Sequence, residues 1–255
     1  MSATSLPLGP VAPGRTAADI VAALRLPAGA GAAPATGPRP RVAAAMISAA
    51  DGRAAVAGRS VGLGHPADRA LLRELRTAVD AILVGPGTLR AERYAHLLDD
   101  EQVERRVAHG LAPEPVVATI SRSGNVPVEV PLFAEPQARI HVYTEAADAR
   151  PETRGARVEV HPFASGGATP AAVLEHLATV LGVRSVLCEG GPTLLRALVA
   201  AACVDDLLLT LAPLLGGGGA PNVLEGEPLD PPVRLDLRDV HRADGHLFMH
   251  YVPAS

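Results

Sequence analysis

Apolar residues in this chain come in short runs, and several of those runs end on glycine. RVAAAMI (41–47), AILV (81–84), VVATI (116–120), RIHVYT (139–144), RVEVHPF (157–163) and SVLC (185–188) each read as a strand. Other stretches carry helical spacing. Leu71, Leu72 and Leu75 share one face of a helix that opens at Pro66 or Ala67 and runs through Thr77. TPAAVLEHLATVLG (169–182) starts on Thr169-Pro170 and stops at Gly182, and PTLLRALVAAA follows Gly190-Gly191 directly. DDLLLTLAPLL (205–215) reads as a further strand, and VRLDLRDV with HLFMHYV predicts a closing hairpin. The alternation predicts an α/β fold: a mixed, mostly parallel sheet with helices on both faces and a C-terminal antiparallel hairpin.

Residues 1–40 have a different character. Thr16-Ala17-Ala18-Asp19 has the form of a helix start, and IVAALRL can supply a short amphipathic helix. AGAGAAPATGPRP (28–40) is a Gly/Pro/Ala linker too poor in large side chains to pack. The expected organisation is therefore an N-terminal extension and linker over 1–40, then one domain over 41–255.

Composition narrows the chemistry. Hydrophobic residues at 48% against 20% charged supply a packed core. A net charge of −4 argues against a general nucleic-acid or anionic-membrane surface, and the absence of tryptophan removes an aromatic stacking platform. No run approaches the roughly 20 apolar residues of a membrane span, and the N-terminus has no basic start followed by an apolar stretch. Cys188 and Cys203 sit in apolar surroundings and read as buried thiols of a cytoplasmic protein. There is no CxxC pair, and the nine histidines are scattered without ligand spacing, so no metal site is expected. The chain also contains no lysine. That excludes a Walker A loop and a pyridoxal Schiff base, and it leaves arginine as the side-chain cation for any bound phosphate.

Two strand-to-helix corners stand out: Gly85-Pro86-Gly87-Thr88 and Glu189-Gly190-Gly191-Pro192. Glycine lets a ligand approach the backbone, and a helix start offers N–H groups to an anion. The first corner is not a dinucleotide fingerprint of the GxGxxG type, because Arg90 occupies the third glycine position. A third strand end carries Ser121-Arg122-Ser123, whose guanidinium and hydroxyls suit a phosphate monoester. No GxSxG elbow is present, and neither cysteine lies in an electropositive loop, so no nucleophile is expected. Three acids, Asp51, Glu92 and Glu189, fall near strand ends on one predicted sheet edge.

Taken together, SAADGRAAVAGRS, LLRELRTAVDAILVGPGTLRAERY and VLCEGGPTLLRALVAAACVDDLLLTLAPLLGGG resemble the reductase domain of the bifunctional riboflavin-biosynthesis deaminase–reductase, from about Arg41 to Tyr251. The RxE-x-Y pattern after the GxGT corner is similar to stand-alone members. The resemblance implies a dihydrofolate-reductase-like fold, a homodimer and NADPH as hydride donor. It implies a substrate of the 5-amino-6-(ribosylamino)uracil 5′-phosphate class, reduced at the ribosyl group. It places cofactor contacts at Gly85, Gly87, Thr88, Ser121 and the run Gly190, Gly191, Pro192, Thr193, Leu194 and Leu195. Substrate contacts fall at Ser60, Arg76 and Glu189, with Asp51 added from its place after the first strand, and Glu92 matches an acid near the nicotinamide. Arg122 is added on chemical grounds as the partner of the NADPH 2′-phosphate.

This chain departs from the family pattern in its substrate half. Glu92 stands where an Asp is usual, Arg93-Tyr94 replaces Asn-Pro or Asp-Pro, Gly62 lies where an aromatic is common, and AHLLDDEQ offers no phosphate-binding arginine. The expectation is an NADPH-dependent reductase whose proton comes from Glu92, Glu189 or an ordered water. Reduction of a dihydropterin or other heterocycle, and a nucleotide-binding protein without catalysis, are the alternatives.

Overall fold

A computed structural model describes residues 15–26 and 39–254. All but two residues of the expected 28–40 linker lie outside them. In chain order the elements are α1 (Ala17–Leu24), β1 (Arg41–Ala49), α2 (Pro66–Ala78), β2 (Ala81–Leu83), α3 (Pro86–Glu92), α4 (Asp100–Ala108), β3 (Val116–Ile120), β4 (Arg139–Thr144), β5 (Arg157–Pro162), α5 (Pro170–Thr179), β6 (Ser185–Cys188), α6 (Pro192–Ala200), β7 (Asp206–Ala212), β8 (Leu235–Ala243) and β9 (His246–Pro253).

The nine strands form one sheet in the order β5-β4-β3-β2-β6-β1-β7-β9-β8. Pairing is parallel from β5 to β7 and antiparallel through β9 and β8. This is the mixed sheet with a closing hairpin expected from the sequence. Alternation along each strand divides the core between two faces. Ile82 packs with residues of α1 and α2, whereas Ala81 and Leu83 pack with residues of α5 and α6.

Helix starts follow from local chemistry. Proline opens α2, α3, α5 and α6, where a missing N–H costs nothing and φ is already helical. Side chains cap four helices: Thr16 at α1, His65 at α2, Asp99 at α4 and Thr169 at α5. By contrast α3 and α6 begin on Gly85 and Gly191 with no side-chain cap. Their first N–H groups are therefore open to a ligand.

Two features depart from the sequence reading. Helix α1 forms where expected but is not peripheral. Val21 and Leu24 are buried in the main core, and a fully buried leucine contributes about 1.5–3 kcal/mol. Helix α4 was not anticipated; Asp99 caps it, and Gln102 and Arg106 are its buried residues. Its Arg106 is only 1% exposed and donates to the carbonyls of Arg76, Thr77, Val79 and Ala112 at 2.7–3.2 Å, closing the C-terminal end of α2. Burial pulls its pKa down to about 10.

Candidate active site

The carboxyl ends of β1, β2, β3 and β6 open onto a cavity of about 610 Å³. Because β2 and β6 are parallel neighbours, their glycine corners meet: the Gly85 N–H donates to the Gly190 carbonyl at 2.8 Å. The approach leaves little room for side chains. A Cβ on Gly191 would come within 2.8 Å of Thr88 Oγ1, and one on Gly190 within 2.9 Å of Met46 Sδ. Gly190 also holds φ at +81° and joins Gly191 through a cis peptide bond.

One wall of the cavity is made by Gly85, Gly87, Thr88, Gly191, Pro192, Thr193 and Leu194. These are the two uncapped helix starts. Arg122 lines the same cavity, and among the described residues no acid pairs with its guanidinium. Ser121 and Leu195 do not reach the cavity. The Ser121 hydroxyl donates to the Asn125 carbonyl at 2.9 Å inside its own turn, and Leu195 is a core residue of α6.

The opposite wall is acidic and apolar. Glu189, 8% exposed, is gripped by Arg76 from behind: Nε donates to Oε1 at 2.7 Å and Nη2 to Oε2 at 2.6 Å. The Tyr94 hydroxyl donates to the same Oε2, and the Arg76 guanidinium lies 5.2 Å from the Tyr94 ring centroid. Burial and the Glu189 charge raise the Tyr94 pKa well above the phenol range, so it stays a donor. Burial alone would lower the Arg76 pKa, but the Glu189 carboxylate outweighs it and raises it. Glu189 thus lines the cavity with both carboxylate oxygens held by Arg76 and Tyr94, and their remaining lone pairs can accept further hydrogen bonds.

Glu92 also lines the cavity, but its Oε1 accepts the Ser60 N–H at 2.7 Å, which seats the turn Ser60–Gly62 at the rim. Ser60 faces the cavity and Arg76 does not, since it stands behind Glu189. Asp51 lies away from it altogether. Its carboxylate accepts the Gly217 N–H at 2.7 Å and orders the four-glycine loop after β7. The backbone donors of that loop hold its pKa below the usual carboxylate value.

Two residues of the cavity went unrecognised in the sequence. Tyr94 was visible only as the last letter of the RxE-x-Y pattern. Asp68 stands in the first turn of α2, where an acid also suits the helix dipole. It lines the cavity together with Thr210, and burial raises its pKa above the usual carboxylate value. Away from the cavity, His141 and His161, which show no ligand spacing along the chain, meet across β4 and β5, beside Glu159. Spacing along one segment cannot reveal a meeting across two.

A mixed sheet whose carboxyl edge joins two open helix starts to a buried carboxylate defines an α/β protein with its ligand cavity at the carboxyl ends of the strands. The chain belongs to the RibD C-terminal domain family, whose model matches residues 40–248. It is 27% identical over 203 residues to the 2,5-diamino-6-ribosylamino-4(3H)-pyrimidinone 5′-phosphate reductase of Archaeoglobus fulgidus, covering 78% of this chain and 92% of that one. It is 32% identical over 181 residues to the riboflavin biosynthesis protein RibD of Mycobacterium tuberculosis, covering 70% of this chain but only 44% of RibD. Among solved structures, a pyrimidine reductase-like protein from Corynebacterium diphtheriae superposes with a TM-score of 0.74 at 25% identity, covering 94% of this chain and all of that one.

Proposed function

We propose that this protein is an NADPH-dependent reductase that converts the ribosyl group of a ribosylaminopyrimidine 5′-phosphate to ribityl. The observation that carries this reading is the two-sided cavity, with open helix starts and unpaired Arg122 on one wall and the Glu189 and Asp68 carboxyl groups among its other lining residues.

The residues present fit the cofactor. The N–H groups opening α3 and α6 suit a diphosphate, the glycines leave room for it, and Arg122 suits a 2′-phosphate. When bound, NADPH supplies a hydride for an electrophilic carbon. Ile47, Leu71, Leu72, Leu75 and Leu208 line the cavity and exclude water. The ring-opened imine of the substrate takes a hydride at carbon and a proton at nitrogen. Glu189, held by Arg76 and Tyr94, accepts hydrogen bonds from the substrate and orients it. Asp68 is the better proton donor, because its burial favours the protonated form. Glu92 positions the Ser60 turn.

Asp68 also favours a second reading, reduction of a dihydropterin. A carboxyl group beside a threonine hydroxyl suits the amino-amidine edge of a 2-amino-4-oxo ring, which diaminopyrimidinones and pterins share. The test follows NADPH oxidation at the nicotinamide band with the diaminopyrimidinone, the uracil analogue and a dihydropterin in parallel. Turnover of a ribosylaminopyrimidine is expected, and turnover of the dihydropterin alone selects the second reading. Tight NADPH binding without turnover on any of the three overturns the enzyme reading and leaves a nucleotide-binding protein.

Two further points belong to this proposal. The protein pairs with a second copy through β8, a sheet-edge strand on which Leu235 and Leu237 are exposed. It works in the cytoplasm, a location supported by two buried free thiols. Among the described residues no helix is long and apolar enough to cross a membrane.

A further inference from the structure

We propose that His141, His161 and Glu159 form a binding site for a divalent transition metal of the zinc class, on the sheet face covered by α5. None of the three lines the cavity described above.

Strand register builds the site. In the parallel pair β4 and β5, His141 lies opposite Glu159 and Tyr143 opposite His161. Residues two apart on a strand share a face, so these four side chains form a small grid on one side of the sheet. His141 Nδ1 and His161 Nε2 stand 2.8 Å apart, with the ring planes only 8° from parallel. Glu159 Oε2 is 3.9 Å from His141 Nδ1, and the three donor atoms all lie within 4.8 Å of one another. Zinc bonds of about 2.0–2.1 Å in a tetrahedron separate neighbouring donors by about 3.3 Å, and the observed distances bracket that value.

The surroundings suit a metal better than a chance contact. Arg157 Nε holds Glu159 Oε1 at 3.2 Å, which leaves Oε2 turned toward the histidines. His176 from α5 packs over His161 at 4.6 Å and is tied by its Nδ1 to the Tyr143 hydroxyl at 3.1 Å. His141 is buried, whereas His161 and Glu159 are partly exposed, so an ion has a route from solvent. Two imidazole nitrogens at hydrogen-bond distance share one proton between them. A bound ion takes the place of that proton, with Glu159 as third ligand and the fourth position left to water. Two nitrogens and one carboxylate select zinc, nickel or copper over magnesium.

The test uses the full chain without an affinity tag, stripped with chelator, and titrated calorimetrically with zinc chloride. One equivalent is expected to bind and to raise the melting temperature, with magnesium chloride inactive. Cobalt should give the visible absorption of a tetrahedral site. Glu159→Gln should weaken zinc binding at least tenfold, and His161→Ala should abolish it, with circular dichroism confirming that each variant folds. If His161→Ala does not fold, Glu159→Gln decides alone. Absence of zinc binding, equal binding of magnesium, or zinc binding unchanged by Glu159→Gln overturns the proposal.

Discussion

Arg76 holds Glu189 through two parallel hydrogen bonds of 2.7 and 2.6 Å, although the residues lie 113 positions apart in the chain. Such a fork fixes both the charge and the direction of the carboxylate. Removing the arginine leaves a buried anion without its partner. Arg76→Ala is therefore expected to destabilise the protein by about 3–5 kcal/mol, read as a lower urea midpoint. Arg76→Ala combined with Glu189→Gln should recover part of that stability and none of the activity. Equal midpoints for wild type and Arg76→Ala would show that the pair contributes nothing to the fold.

Tyr94 supplies the second donor to Glu189. Tyr94→Phe keeps the ring beneath Arg76 and removes only the hydroxyl, so the carboxylate loses one of the groups that aim it. Loss of a charged hydrogen bond of about 1.5–3 kcal/mol corresponds to a fall of roughly 10- to 150-fold in kcat/KM. NADPH affinity, measured by fluorescence titration, should not move. A comparable loss of NADPH affinity would place Tyr94 on the cofactor side.

Arg122 tests the choice of cofactor. The Arg122→Ala variant should bind NADPH about 10- to 100-fold more weakly while NADH binding changes little. Equal weakening of both would remove Arg122 from the 2′-phosphate.

Asp68 should give the reaction its pH dependence. Burial is the main cause of its raised pKa, opposed by Thr210, His246, Arg69 and His65. The protonated acid is the active form in our reading, so kcat/KM is high below that raised pKa and falls as pH rises through it. Stability runs the same way. A carboxyl whose folded pKa lies above its unfolded value stabilises most at low pH, and the contribution is lost as pH rises through the folded pKa. Asp68→Asn should abolish that limb of the rate profile. A limb that persists in this variant assigns the proton to another group.

The two glycines of the second corner should differ in their tolerance of alanine. Gly191→Ala meets one hydroxyl, Thr88 Oγ1, which can rotate away, and should weaken NADPH without unfolding the protein. Gly190→Ala meets Met46 and also takes a left-handed φ of +81°. It should lose about 1–2 kcal/mol of stability more than Gly191→Ala in thermal unfolding.

Much of this was legible in the sequence, and what was not has physical reasons. Strands, glycine corners and the hairpin show because each is a local pattern. Arg76 and Glu189 were both picked out as substrate contacts, but nothing local says that one grips the other. Asp51 was misplaced because an acid after a strand serves equally to order a loop. Helix α4 was missed because Arg106 fills a place between helix ends that sequence patterns reserve for apolar residues. Asp68 has the spacing of an ordinary first-turn acid, and only the fold shows that its carboxyl group turns into the cavity. The histidine grid depends on a register between two strands joined by an irregular loop.

The strand order has a consequence for how the chain comes off the ribosome. Among the described residues β1 pairs only with β6 and β7, and β2 only with β3 and β6. The first strand made therefore waits without a hydrogen-bonded neighbour until residues beyond 185 have been synthesised. The slot between β2 and β1 is filled by β6, which leads directly into Glu189, and Leu208 and Thr210 of β7 join the cavity lining later still. Nascent chains that end before β6 lack the strand that joins the two halves of the sheet, and the long loop closures involved favour slow folding.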